Sequence, residues 1–259
     1  MGEGGEEALP QLNAVLAQLS VREGKEKALA RPGGSEGKNK AEAPWRWWID
    51  GRSLIIRLPT IYQVMSWAPL NGGAWRARVI VNHQIQIGQR VATDNPRPYL
   101  DALVRRLGFK PAAAVAMMTG VDIRKARYAA ARRGDLIVGA WCTAGCSNAL
   151  RVGDPATVKA TPPGTINLAL VINQPLAPAA MAEALAMAAE ARVAAVQSAG
   201  ITSTRTQQPA TGTGTDCIVV ASPVRGRAHS YCGKHTLLGE LIGKAALRSC
   251  TKALGRCAS

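Results

Sequence analysis

Two segments near the C-terminus carry residue types that could do chemistry. The first, Thr211–Asp216, reads TGTGTD and stands before an apolar stretch. Its glycines let the backbone turn sharply, so that amide N–H groups can converge on an anion or an oxyanion. Its threonines add hydroxyl donors, and Asp216 adds a carboxylate. The spacing differs from that of Walker and Rossmann loops, so a tight structural turn is the alternative interpretation.

The second segment, Tyr231–Thr236, reads YCGKHT and leads into a predicted helix. His235 could act as a general base near neutral pH, and a helix start offers free N–H groups. We predict His235 as general base and acid, Asp216 as the group that orients it, and Glu240 as the reserve. A capping role for His235, and an i, i+4 surface pair of Glu240 with Lys244, are the alternatives.

Cysteine and metal chemistry are less favoured by the spacing. Cys146 follows a predicted buried strand, but no known nucleophile signature surrounds it. The cysteines are not spaced as in a zinc ribbon. His235, Asp216 and Glu240 form a conceivable metal set, yet no H-x-x-x-H or H-E-x-x-H pattern supports it. We therefore predict no metal ligands and no required cofactor.

The elements that must position these segments can be predicted from periodicity and from helix caps. Strands are expected over 53–58, 77–82, 112–118, 136–142, 165–172 and 216–221, with a possible further strand over 60–66. Helices are expected after Asn95, over 123–132, over 178–198 and from about His235. The first half is rich in strands and the second half alternates strands and helices. This predicts a single α/β or α+β domain with a mixed sheet over 45–259, after a disordered tail over 1–44.

The charge of the chain limits its partners. The formal net charge is +15, and residues 45–259 hold 26 basic and 10 acidic residues. Such a domain could bind nucleic acid, an anionic membrane or a phosphorylated substrate. The arginines are scattered and aromatic residues are few, so we predict no nucleic-acid partner. No stretch approaches about 20 apolar residues and no secretory signal is visible, so we predict no membrane partner and a cytoplasmic location.

Nine segments, in order, resemble the adenosylcobinamide amidohydrolase family (CbiZ) over about residues 45–256. They are PLNGG (69–73), MTGVD (118–122), WCTAGCSNA (141–149), RVGD (151–154), TIN (165–167), NQPL (173–176), EAR (190–192), TGTGTD (211–216) and YCGKHTLLGELIG (231–243). Trp67 departs from the family pattern, which has a small residue there, and Arg192 stands where a Lys is more usual. Cys146 falls at a variable position, which counts against a nucleophilic role.

The resemblance implies an amidohydrolase of corrinoid salvage. Such enzymes hydrolyse the amide that joins aminopropanol to a corrin propionate, and adenosylcobyric acid is the product. A basic domain would suit the nucleotide-loop phosphate of complete cobamides such as pseudocobalamin. A non-catalytic corrinoid carrier and, less favoured, a nucleic-acid-binding module are the alternatives. The implied substrate-binding residues are Asn71, Gly72, Gly73, Thr119, Asp122, Thr143, Gly145, Asn148, Arg151, Asp154, Asn167, Asn173, Glu190, Thr211, Gly212, Thr213, Gly214, Thr215 and Tyr231.

Overall fold

The computed structural model describes residues 43–86, 90–156 and 164–255. The tail predicted over 1–44 lies almost wholly outside these residues. The strands are β1 (Arg46–Asp50), β2 (Ser53–Ser66), β3 (Gly73–Gln84), β4 (Ala114–Thr119), β5 (Arg127–Arg133), β6 (Leu136–Ala144), β7 (Ala149–Leu150), β8 (Ile166–Ile172), β9 (Gly212–Thr213) and β10 (Cys217–Pro223). The α-helices are α1 (Arg90–Asp94), α2 (Pro96–Arg106), α3 (Pro178–Ser198) and α4 (Leu237–Leu254), and two 3-10 helices span Pro111–Ala113 and Ile123–Lys125.

One large mixed sheet contains eight of these strands. Its order is β4-β3-β2-β10-β8-β6-β5, and β1 pairs with β2 beside this path. The pairs β3–β4 and β8–β10 are parallel, and the other neighbouring pairs are antiparallel. β7 and β9 form a separate antiparallel pair. The predicted single α/β domain with a mixed sheet is confirmed.

The sheet folds over onto itself. β2 and β3 lose register between Arg57 and Tyr62, and such an irregularity bends a strand pair. Asn82 of β3 donates a hydrogen bond to Thr143 of β6, and Asn167 of β8 donates one to Asn82, although these strands are not neighbours in the sheet. The two halves of the sheet therefore face each other. The core between them includes Ile56, Tyr62, Ile80, Trp141 and Val219.

Helices cover both outer faces of this folded sheet. α3 and α4 pack together over β6, β8 and β10, and the buried side of α3 is mostly alanine, which allows close approach. α2 packs its apolar stripe against β3 and β4 on the other side. Thr236 caps α4, because its hydroxyl accepts the N–H of Gly239 at 3.0 Å. Within the residues described, no helix combines the length and apolar character that a membrane span needs.

The helix predicted over 123–132 is wrong. The chain makes one 3-10 turn over Ile123–Lys125 and then continues as β5, which pairs with β6 over its whole length. Ala129 and Ala131 are buried while Ala130 is exposed, which is the alternation of a strand. The pairing with β6 outweighs the helix propensity of alanine and arginine. The segment 60–66 is likewise no separate strand but the second half of β2.

Candidate functional site

The segments that resemble the family meet where β8 and β10 begin and where β6 ends. Ala144 pairs with Ile166, and Cys217 pairs with Asn167, so three chain segments reach the same edge. We call this the polar end of the sheet, and we call residues 211–216 the Thr-Gly loop. The predicted residues gathered at the polar end are Thr143, Gly145, Asn148, Asn167, Thr211, Gly212, Thr213, Gly214, Thr215 and Asp216.

The Asp216 carboxylate fixes the Thr-Gly loop. One oxygen, Oδ1, accepts the N–H of Ile166 at 2.8 Å and the hydroxyl of Thr213. The other, Oδ2, accepts the N–H of Thr213 at 2.9 Å and lies 3.3 Å from Nη1 of Arg192. The Asp216 side chain is only 6% exposed. A carboxylate with four donors around it is held rigidly, and it can also accept the proton of Thr213.

Glycines let the backbone approach this carboxylate and its neighbours. A Cβ on Gly212 would lie 2.2 Å from Oδ2 of Asp216, and a Cβ on Gly164 would lie 2.2 Å from Oδ1 of Asn148. A Cβ on Gly145 would lie 2.7 Å from a methyl group of Val121. Side chains larger than hydrogen would therefore displace the groups that form the polar end.

The free amide donors of the Thr-Gly loop are at its tip. The N–H of Thr211 donates to the Leu150 carbonyl at 2.9 Å, and that of Thr213 donates to Asp216. Gly214 and Thr215 are exposed, and in the described part of the chain no hydrogen bond uses their N–H groups. These two N–H groups can therefore bind an oxygen atom of a ligand.

Threonine hydroxyls join the loop to the start of β8. The Thr215 hydroxyl donates to the Gly164 carbonyl at 2.9 Å. A hydroxyl has a single proton, and the Thr215 proton is already used in that bond. The 2.9 Å contact between the Thr165 and Thr215 hydroxyls is therefore a hydrogen bond that Thr165 donates. Thr213 donates to Asp216. Thr213 also lies 3.2 Å from the Gly164 carbonyl, so its hydroxyl has two acceptors, of which Asp216 is the nearer.

Buried amides lie behind the loop. Asn167 donates to Oδ1 of Asn82 at 2.9 Å and to the Met118 carbonyl at 2.7 Å, and Asn82 donates to Thr143 at 3.0 Å. The Oδ1 atoms of Asn167 and Asn148 are buried and have no hydrogen-bond partner among the residues described. An unpaired buried acceptor costs about 1–3 kcal/mol. Such acceptors are often found where a ligand binds.

His235 and Glu240 lie elsewhere. In the segment before α4, the Cys232 N–H donates to Glu183 at 2.6 Å and Lys234 pairs with Glu190 at 2.5 Å. Both glutamates are on α3. His235 itself is exposed. The segment around His235 therefore follows the face of α3 that carries these two glutamates.

Asp216 contacts the opposite face of the same helix. Its partner Arg192 follows Glu183 by nine positions, which is two and a half helical turns. Asp216 and the segment around His235 therefore contact opposite sides of α3, and among the described residues no hydrogen bond or ion pair joins Asp216 to His235. Sequence spacing could not reveal this, since only β10 and the loop after it separate the two segments along the chain.

The third predicted catalytic residue, Glu240, forms the i, i+4 surface pair with Lys244 that was the alternative to a catalytic role. It pairs with Lys244 and lies 3.8 Å from Arg133. The hydrogen bond from Lys244 and the charges of both cations lower the pKa of its carboxyl group. No group of three or more His, Cys, Asp or Glu side chains gathers within the described ranges, so the conceivable metal set is not assembled there.

Glu183 is the carboxylate that sequence reasoning missed beside His235. A Cβ on Gly233 would lie 3.1 Å from Oε1 of Glu183 and 3.4 Å from Nδ1 of His235. Both side chains therefore border the space that this glycine leaves open. The available signal was the seven-residue spacing of Glu183 and Glu190, which places both on one face of α3.

Arg151 and Asp154 hold a neighbouring loop. Asp154 accepts the Arg151 N–H at 2.7 Å and the hydroxyls of Ser203 at 2.5 Å and Thr206 at 2.8 Å. The Ser203 hydrogen bond, with the others, lowers the pKa of the Asp154 carboxyl group. These residues frame the β7–β9 pair that carries the Thr-Gly loop.

Several other predicted binding residues have structural roles. Asn71, at φ 58°, donates to two carbonyls before and at the start of β4, and Gly73 at φ 84° completes that turn with Gly72. Asp122 caps the second 3-10 helix. Thr119 accepts the Val121 N–H at 3.1 Å, and its turn packs on Gly145.

Asn173 and Tyr231 lie outside the polar end. Asn173 binds the backbone of residues 135 and 137, at the opposite end of β8. Tyr231 is 70% exposed.

Two buried thiols, Cys217 and Cys142, have raised pKa values. Burial raises the pKa of Cys217 to about 12, although the Ser66 hydroxyl opposes this. The hydrogen bond with Cys250, together with burial, raises the pKa of Cys142 well above its usual value. A thiol rather than a thiolate is a poor nucleophile.

The fold is a mixed α/β domain in which a folded sheet lies between helices and carries the Thr-Gly loop at one edge. Comparisons with known proteins define the family to which this domain belongs. Residues 46–259 match the family model described as adenosylcobinamide amidohydrolase. The chain is 31% identical to an uncharacterized protein of Methanocaldococcus jannaschii over 80% of this chain and 89% of that protein. It is 33% identical to an adenosylcobinamide amidohydrolase of Halobacterium salinarum over 70% of this chain and 74% of that protein. The chain belongs to the adenosylcobinamide amidohydrolase family, so the predicted family and enzyme class are confirmed.

Solved structures are more distant. A Pyrococcus horikoshii protein is 12% identical, with a TM-score of 0.39 over 82% of this chain and 83% of that one. The L-aminopeptidase D-Ala-esterase/amidase of Ochrobactrum anthropi is 14% identical, with a TM-score of 0.35 over 82% of each chain.

Proposed function

We propose that this protein hydrolyses the amide that joins aminopropanol to the corrin ring of adenosylcobinamide, and that it releases adenosylcobyric acid. Membership of the family supports the reaction. The observation that carries the proposed site is the convergence of the 141–149, 165–167 and 211–216 segments at the polar end. The corrinoid is the substrate, and the proposal requires no cofactor.

The tip of the Thr-Gly loop supplies the oxyanion site in this proposal. Amide hydrolysis passes through a tetrahedral intermediate whose oxygen carries negative charge. The exposed N–H groups of Gly214 and Thr215 would donate to that oxygen, and one well-placed donor is worth roughly 3–4 kcal/mol of activation free energy. Arg192 and Asp216 fix the loop so that these donors need little rearrangement.

The Thr213 hydroxyl is the proposed nucleophile. Asp216 is the nearer of the two acceptors of this hydroxyl, and it would take the proton as the oxygen attacks the amide carbon. The C–N bond then breaks and aminopropanol leaves with that proton. Water hydrolyses the resulting ester of Thr213 and restores the hydroxyl. Thr213→Ser should retain turnover, whereas Thr213→Val should lose it. A corrinoid ester on the peptide that contains residue 213, detected by mass spectrometry after acid quenching, tests the step directly.

Complete cobamides are the second proposed substrate class. The described domain is strongly basic, and the phosphate of a nucleotide loop would interact favourably with it. Cobinamide lacks that phosphate. Activity on adenosylpseudocobalamin should therefore fall more steeply with added salt than activity on adenosylcobinamide does.

Direct assay decides the proposal. The protein is incubated with adenosylcobinamide and, separately, with adenosylpseudocobalamin, and adenosylcobyric acid is measured by mass. Product from either substrate supports the reaction, and no product from either refutes it. A corrinoid carrier would bind both compounds and release no aminopropanol.

His235 provides the control for the position of the site. Because its segment contacts the other side of α3 from Asp216, His235→Ala should retain near wild-type turnover, while Asp216→Asn should lose roughly 100-fold or more. If His235→Ala lost as much as Asp216→Asn, His235 would be the general base as the sequence predicted, and the site would have to include both faces of α3.

A further inference from the structure

Trp67 is a solvent-exposed tryptophan at the polar end. The residue is 47% exposed, and its indole N–H donates to the Asp216 carbonyl at 2.6 Å. Tryptophan is usually well buried, because its ring contributes a large apolar area. An exposed tryptophan at this position therefore needs a reason other than core packing.

The backbone around Trp67 holds the ring in place. The flanking residues Ser66 and Ala68 are buried. The Ser66 hydroxyl donates to the Ile218 carbonyl at 2.8 Å and accepts the Ala68 N–H at 3.0 Å. A ring fixed at its backbone and at its indole N–H loses little entropy when a ligand stacks on it.

The ring lies beside the loop that carries the free donors. Its hydrogen-bond acceptor, Asp216, directly follows the exposed tip residues Gly214 and Thr215. A molecule bound at the tip of the loop would thus have an aromatic surface next to it. The two kinds of contact are complementary, since N–H groups bind an oxygen and an indole face binds a planar ring.

We propose that Trp67 is a stacking platform for a planar nitrogen heterocycle of the corrinoid, and that it determines which corrinoids the site prefers. This inference rests on the proposed function. The heterocycle has two possible sources with the same chemistry, the lower base of a complete cobamide and the adenine of the adenosyl group. Stacking of a base on an aromatic side chain corresponds to about a tenfold change in affinity or more.

Trp75 is a matched control within the same chain. It is 37% exposed, and its indole N–H also donates to a backbone carbonyl, that of Ala112 at 3.1 Å. That anchor lies before β4 and not on the Thr-Gly loop. Trp75→Ala therefore shows the effect of removing any exposed tryptophan that is held by a backbone hydrogen bond. An additional effect in Trp67→Ala can then be assigned to the ring beside the Thr-Gly loop.

The test compares three corrinoids across four proteins. The wild type, Trp67→Ala, Trp67→Phe and Trp75→Ala are assayed with adenosylpseudocobalamin, adenosylcobinamide and cyanocobinamide, which lacks both heterocycles. We expect Trp67→Ala to raise KM about tenfold for corrinoids that carry the recognised heterocycle, with kcat little changed. Trp67→Phe should retain most of the affinity, because it keeps a ring while losing the N–H bond to Asp216. Trp75→Ala should match the wild type.

The pattern of losses identifies the source. A loss restricted to adenosylpseudocobalamin assigns the lower base, and a loss shared by both adenosyl compounds but not by cyanocobinamide assigns the adenine. An equal loss for all three compounds, or no loss, overturns the inference, because Trp67 would then act through Asp216 alone or not at all. Equilibrium binding, followed by corrin absorbance, gives the same comparison if no compound is hydrolysed. Failure of hydrolysis therefore counts against the proposed function and not against Trp67.

Discussion

Replacement of Asp216 by asparagine tests the account of the polar end most directly. Asn can still accept the Ile166 N–H through its oxygen. Its amide group, however, places donors where Oδ2 now accepts the N–H of Thr213 and faces Arg192. The Arg192 side chain is 15% exposed, so its charge would be left largely buried without a partner.

The expected loss in free energy of unfolding follows from the unpaired charge of Arg192. Removing one partner of a buried ion pair typically costs about 3–5 kcal/mol. For a domain of this size, each kcal/mol lowers the midpoint of thermal unfolding by about 2–4 °C. We therefore expect Asp216→Asn to lower that midpoint by roughly 6–20 °C.

Urea unfolding and thermal unfolding, both followed by circular dichroism, measure this change. The double variant Asp216→Asn with Arg192→Gln should regain part of the stability, because it removes the unpaired charge. Arg192→Lys should cost little, since it keeps the charge and removes a buried Nε that has no partner in the described part of the chain. A folded Asp216→Asn protein that loses less than about 1 kcal/mol would refute the reasoning, because a pair that weak is typical of the solvent-exposed surface.

Three further predictions concern pH and backbone. Burial, with nearby arginines, lowers the pKa of His83 to about 4. Below about pH 6.5 the unfolded chain binds a proton that the folded chain excludes, so stability should fall between about pH 6.5 and 4 by up to about 3 kcal/mol. His83→Gln should flatten this slope in urea titrations, and an unchanged slope would contradict the burial of His83. Gly212→Ala should abolish turnover and lower the thermal midpoint, because its Cβ would lie 2.2 Å from Oδ2 of Asp216. Gly243→Ala, inside α4 and with its nearest contact at 3.9 Å, should instead stabilise the protein by about 0.5–1 kcal/mol, and a loss of stability would show that α4 packs more tightly there.

Helices that have clear start residues or a strong apolar periodicity could be predicted from the local sequence. Asn95 and Pro96 precede and begin α2, although the Asn95 side chain makes no capping hydrogen bond, and the long apolar pattern over 178–198 corresponds to α3. The segment 123–132 was misassigned because its alanines and arginines favour a helix locally, whereas pairing with β6 determines its conformation. That pairing depends on residues distant in sequence, and no local pattern shows it.

The candidate site could be predicted in part. The Thr-Gly loop, Thr143 and Asn167 lie at one edge of the sheet, and their role in substrate binding stays a prediction. Asn82 has no place in a matching segment, yet it joins two halves of the sheet through its amide. The relation of His235 to Asp216 depends on which side of α3 each segment crosses, and sequence distance carries no information on that.

The hydrogen bonds and the ion pair of Asp216 also affect the order in which parts of the protein fold. Its carboxylate joins Ile166 to residues 50 positions later, and Arg192 reaches it from a helix between them. Contacts of such separation form only after the intervening chain has been made and has collapsed. During synthesis on the ribosome, the first four strands can pair while the polar end is still incomplete. We therefore expect the candidate site to be among the last parts of the domain to acquire its native form.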